Sequence, residues 1–60
     1  MEWYYFNEQG YMMTGWILDG GRWYYMNEIS DGTKGAMMAS TWIGEYYVDE
    51  NGVWQENIHK

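Results

Sequence analysis

The chain has no cysteine, no proline and one histidine, and only three of its 60 residues are lysine or arginine. Without cysteine there are no disulfides and no thiolate metal sites, the usual reinforcements of so small a domain. Without proline, the turns must come from the eight glycines together with Asn and Asp. Three basic against nine acidic residues give a net charge of −6. That balance argues against a nucleic-acid partner, because neutralising phosphates takes clustered Lys and Arg. A cationic ligand, by contrast, is drawn toward such a surface. No run of 18 apolar residues exists, and no basic start leads into an apolar stretch. Neither a membrane span nor a retained signal peptide is therefore expected. A chain this short buries only about 60% of its unfolded surface, so a single core leaves it marginal.

What the chain does hold is aromatic side chains, at 22% of its residues: five Trp, seven Tyr and one Phe, beside six Met. Mean hydropathy is nonetheless negative, so the rings sit among polar neighbours. They also recur. Trp3, Tyr4, Tyr5 and Asn7 return as Trp23, Tyr24, Tyr25 and Asn27, a shift of 20 residues, and Tyr46 and Tyr47 form a third copy. "GYMMTGWI" from residue 10 matches "GAMMASTWI" from residue 35, so the second unit carries the insertion "ISDGTK" at residues 29–34. The insertion is compatible with a single helical turn or a wider loop.

Each unit reads as a β-hairpin. Trp16, Ile17 and Leu18 lead through the turn signal Asp19-Gly20-Gly21 into Trp23 to Met26. The last unit runs from Glu45 to Val48, turns at Asn51-Gly52 and ends on a short strand at Val53 and Trp54. Helical spacing of apolar residues is absent from every window. Strand alternation places Trp23 and Tyr25 on one face and Tyr24 and Met26 on the other. Both faces of a hairpin are then apolar, which is stable only if hairpins stack, as solenoid repeats do. The expected fold is all-β, a short solenoid of stacked hairpins. It is one module of three partial units at roughly residues 1–13, 14–38 and 39–60, a piece of a longer array or one that self-associates through its exposed repeat ends.

Catalysis is not expected. His59 reads as a frayed tail residue beside Lys60, and the scattered Ser30 and Ser40 have no base within a recognisable pattern. Asp49, Glu50 and Asn51 lack the spaced ligands of a calcium loop and read as a solvated turn. Aromatic stripes at strand spacing ordinarily pack a core, and Tyr4, Tyr24, Met12 and Met13 are read in that way.

"TGWILDGGRWYYMNE" at residues 14–28, preceded by "WYYFNEQGYMMTGW" at 3–16, resembles the choline-binding (cell-wall-binding) repeats of Gram-positive surface proteins. The shared pattern is Gly-Trp, a short turn, Trp-Tyr-Tyr, then Asn, Gly, Met and the next Gly-Trp. The first 28 residues follow it closely. Later ones depart from it, with Thr41 in place of the glycine of Gly-Trp and Glu45 in place of the first Trp of Trp-Tyr-Tyr. The resemblance implies a left-handed β-solenoid, secreted to the bacterial cell surface. It would anchor an attached protein through choline or phosphocholine on teichoic or lipoteichoic acid, with no cofactor. The ligand would sit between consecutive hairpins, in a cage of Trp16 and Trp23 closed by Tyr46 or Tyr47. A preceding partial cage would hold Trp3 with Tyr24 or Tyr25, and a following one would start at Trp42. A methionine pair, Met37 and Met38 or Met12 and Met13, is the candidate floor of a cage. Two other roles fit the same repeats: glucan binding by ring stacking, or a terminal cap or dimerisation surface without ligand.

The chemistry of choline fits those residue types. A trimethylammonium group has no N–H to donate, so it is selected by the negative faces of aromatic rings. At roughly 0.5 to 2 kcal/mol per ring, three rings imply a site of about millimolar affinity. Repetition along a polymer raises the avidity.

Overall fold

The computed structural model describes residues 2–59. Gly20 and Gly21, at φ 59° and 78°, make the two-residue turn that joins β1 (Gly15–Asp19) to β2 (Arg22–Met26) as an antiparallel hairpin. Two successive left-handed residues give a turn whose twist matches that of paired strands. Gly44, at φ 61°, opens the next turn, between β3 (Thr41–Ile43) and β4 (Tyr46–Val48). A fifth strand, β5 (Trp54–His59), pairs with the other edge of β4 to complete a three-stranded antiparallel sheet. The architecture is all-β, a short stack of hairpin repeats. No helix among the described residues is long and apolar enough to cross a membrane.

The two hairpins share one register. Gly15, Trp16 and Ile17 stand across from Met26, Tyr25 and Tyr24, just as Thr41, Trp42 and Ile43 stand across from Val48, Tyr47 and Tyr46. The second hairpin is shorter, so Glu45, the counterpart of Trp23, falls in the turn instead of on a strand. Where Thr41 replaces the glycine of Gly-Trp, the left-handed conformation moves one residue earlier, to Ser40 at φ 53°.

One polar device is built three times. The side-chain oxygens of Asn7, Asn27 and Asp49 each accept a backbone N–H two residues on, from Gln9, Ile29 and Asn51. Asn7 and Asp49 also take the N–H four residues on. In each unit the repeat glycine donates back to the carbonyl of this residue: Gly10 to Asn7, Gly35 to Asn27 and Gly52 to Asp49. Short side chains that bind their own backbone in this way define turns without proline. The carboxylate of Asp49 is thereby occupied, its second oxygen accepting from Gln55.

The insertion at residues 29–34 is a loop folded around Asn27, which is buried. The Asn27 amide donates to Asp31 Oδ1 at 3.2 Å and Thr33 Oγ1 at 2.9 Å. Thr33 donates to Asp31 through its hydroxyl at 2.6 Å and its backbone N–H at 3.0 Å. The side-chain bond from Thr33, followed by the backbone one, holds the Asp31 carboxyl below the ordinary aspartate range. A depressed carboxyl favours the folded state fully above the ordinary pKa of about 3.9, and that contribution is lost as pH falls through the folded value. Thr33→Val is expected to move the Asp31 carboxyl back toward its ordinary value, read by NMR from its carbon shift against pH.

The core is small: among the described residues, Ile17, Met26, Ala36 and Val48 are the buried apolar ones. Around it, each methionine of a Gly-x-Met turn lies over the glycine of the next unit. Met12 covers Gly35, and Met37 covers Gly52. Tyr4, expected as a packing residue, is 43% exposed, whereas Met12, at 40% exposed, does pack between units, over Gly35. Residues 3–6 form no strand and pair through isolated bridges, Tyr4 to Ala36 and Phe6 to Met12. The expectation for His59 is also corrected. It is paired opposite Tyr46 at the end of β5, because the free edge of β4 offers backbone groups that a terminal strand can satisfy.

Candidate functional site: an aromatic cavity between hairpins

Antiparallel pairing puts Trp16 across from Tyr25 and Leu18 across from Trp23, all on one face of the first hairpin. Trp16 and Tyr25 meet edge to face, with ring centroids 5.1 Å apart at 64°. The Tyr25 hydroxyl donates to Glu28 Oε1 at 2.7 Å, and this bond to a carboxylate raises the phenol's pKa above its ordinary value. Tyr25, the residue whose role alternation alone leaves open, thus braces Trp16 from the side.

Tyr46 meets that face from the second sheet. Its ring lies 5.9 Å from Trp16 at 88° and 6.1 Å from Trp54 at 79°. Trp16, Trp23, Tyr46 and Trp54 together wall an open cavity of about 460 Å³. The structure therefore brings together three residues that the sequence singled out and adds Trp54. Tyr47 sits elsewhere: adjacent strand residues point to opposite faces, and its ring packs on Trp42 at 5.1 Å and 61°, on the far side of the hairpin.

Trp54 carries a sequence signal that periodicity of the Trp residues does not reveal. Gly52-Val53-Trp54 stands in the last unit where Gly10-Tyr11-Met12 and Gly35-Ala36-Met37 stand in the others. The fourth wall is thus a Trp in the Met position.

The same construction appears once more in thinner form. Trp3, Tyr24 and Met37 help to line a second cavity of about 370 Å³, together with Tyr4 and Tyr5. They are the repeat counterparts of Trp23, Tyr46 and Trp54. Tyr25 is directed away, onto Trp16.

A solved structure with the same arrangement of hairpins, the choline-binding domain of Spr1274 from Streptococcus pneumoniae, is 34% identical to this chain. It superposes with a TM-score of 0.76, covering 90% of this chain and 72% of that one. The choline-binding repeat, as a sequence family, matches residues 1–42. The chain belongs to the choline-binding repeat family. Choline binding protein F of the same organism is 30% identical over 92% of this chain, which spans 24% of that protein, with a TM-score of 0.44. No curated protein sequence matches at a significant level.

In this choline-binding repeat chain the surroundings of the cavity are unevenly charged. Tyr46 and Trp54 also line a smaller cavity of about 210 Å³ whose other walls include Glu45, Glu56 and His59. Two carboxylates thus stand behind two of the aromatic walls, and a cation approaching that flank is attracted.

Proposed function

We propose that the chain is a non-catalytic module that binds choline between its two hairpins, on Trp16, Trp23, Tyr46 and Trp54, and anchors an attached protein to choline-bearing teichoic acid at the bacterial cell surface. The observation that carries this reading is a cavity walled by four aromatic rings with no charged side chain among them. Such a lining suits a cation that makes no hydrogen bonds, because ring faces attract it while asking for no donor. Weak binding per site, about millimolar, suits an array that gains avidity on a polymer bearing many cholines.

Titration with choline, followed by tryptophan fluorescence, is expected to saturate in the millimolar range. Tyr46→Ala is expected to weaken binding about 3- to 20-fold through loss of one wall. Tyr47→Ala should leave affinity within about twofold and lower stability instead, since its partner is Trp42. Equal effects of the two variants on affinity would refute the placement of the ligand. Retention on dextran with no response to choline would point to glucan binding. A mass by analytical ultracentrifugation that ignores choline, together with silent fluorescence, would point to a cap without ligand.

A further inference from the structure

Resting on that choline reading, we infer that the cavity continues into a phosphate subsite on its Arg22 flank, so that the full ligand is a phosphocholine group held in one direction. Trp23 and Trp54, two walls of the aromatic cavity, also line a neighbouring space of about 450 Å³. That space is bounded by Arg22, by Gly21 in the β1–β2 turn, and by Asn57 and Glu56 of β5. Among the described residues, Arg22 is the only lysine or arginine lining either this space, the aromatic cavity or the carboxylate-lined one behind Tyr46. No hydrogen bond or ion pair to another described residue engages its guanidinium. The amide of Gln55, in contrast, is already given to Asp49 and Val53.

Phosphocholine carries its quaternary nitrogen and its phosphate at the two ends of an ethylene linker. With the nitrogen against Trp16, Trp23, Tyr46 and Trp54, the phosphate has two directions of exit. One leads past Tyr46 to Glu45 and Glu56, where two carboxylates repel it. The other leads over the shared edge of Trp23 and Trp54 to Arg22, whose forked donors match phosphate oxygens. Asn57 offers a further amide donor there. Glu56 borders both spaces and opposes the phosphate in each, so it sets how strongly the Arg22 exit is preferred rather than which exit is taken. The position of Arg22 follows from the hairpin. It is the first residue after a two-glycine turn and is adjacent to Trp23, so the guanidinium and a cage wall leave the same strand end.

The test compares choline, phosphocholine and glycerophosphocholine on the wild-type chain, Arg22→Gln and Glu56→Gln, at low salt with tryptophan fluorescence. Arg22→Gln is expected to weaken both phosphate ligands about threefold, the scale of an exposed ion pair, while choline affinity stays unchanged. Glu56→Gln is expected to tighten the phosphate ligands relative to choline. Raising the salt should remove the Arg22 effect first. If choline binds and the ratio of phosphocholine to choline affinity is the same in the wild type and Arg22→Gln, the subsite is refuted and the choline reading stands. If choline itself gives no response, the choline reading falls and takes the subsite with it. Co-sedimentation with phosphatidylcholine vesicles that is lost in Arg22→Gln would assign the phosphocholine to a lipid headgroup. Binding of glycerophosphocholine without co-sedimentation would assign it to a polymer or soluble diester.

Discussion

Trp23→Ala is expected to weaken choline binding about 5- to 30-fold, which moves a site of about millimolar affinity to roughly 5 to 30 mM. The choice of Trp23 separates binding from folding. Trp16 leans on both Tyr25 and Tyr46, and Trp54 leans on Tyr46, so removing either ring disturbs the packing as well as the cavity. Trp23 enters none of the ring pairs among the described residues and is 39% exposed. Its loss should therefore leave the melting temperature within a few degrees while the choline response shifts to higher concentration. A Trp23→Ala chain that melts normally and still binds choline with parental affinity would remove the cavity from consideration as the site.

Gly52→Ala is expected to cost about 2 to 4 kcal/mol of stability, from two sources that act together. The residue sits at φ 80°, a left-handed conformation that strains any side chain. A methyl group there would also stand 2.7 Å from Met37 Sδ and 2.8 Å from its Cε, so the methionine must shift. A 60-residue domain has only roughly 3 to 9 kcal/mol to lose. The melting temperature should fall by about 10 to 25 °C, measured by circular dichroism. Gly10→Ala supplies the control. That residue has nearly the same backbone, at φ 85°, but nothing lies within 4 Å of the added methyl group. The excess cost at Gly52 over Gly10 isolates the seating of one unit's methionine on the next unit's glycine. Equal costs would show that backbone strain alone accounts for both. Because Met37 also borders the second aromatic cavity, its displacement links the stability of the stack to the shape of that cavity.

Much of the architecture is legible in local chemistry. Asp19-Gly20-Gly21 can make only a tight turn, and the alternation of Trp23 to Met26 divides the rings between two faces before any tertiary contact is known. The recurrence of Trp-Tyr-Tyr and of Gly-x-Met-Met then forces a stack, since no hairpin with two apolar faces survives alone.

Other features depended on relations between units. Whether Tyr46 or Tyr47 turns toward Trp16 is a matter of which face of the second hairpin meets the first, and pattern along one strand is symmetric to that choice. Trp54 was hidden because it replaces a methionine, so a search for repeated Trp passes over it. Its place in the wall comes from pairing with Val48 at the edge of β4, a contact between strands. The length of β5 and the position of His59 have the same origin: they are set by an unpaired strand edge, not by the strand propensity of Gln-Glu-Asn. The proximity of Arg22 to the cavity likewise arises when β5 packs against β2.

The sequence by itself determined the hairpins, their repetition and the kind of cation that so many rings suit, because turn residues and alternation act within a few neighbours. Only the tertiary structure decided which rings share a cavity and which charges stand beside it. Those are properties of the gap between units, and no single unit contains a gap.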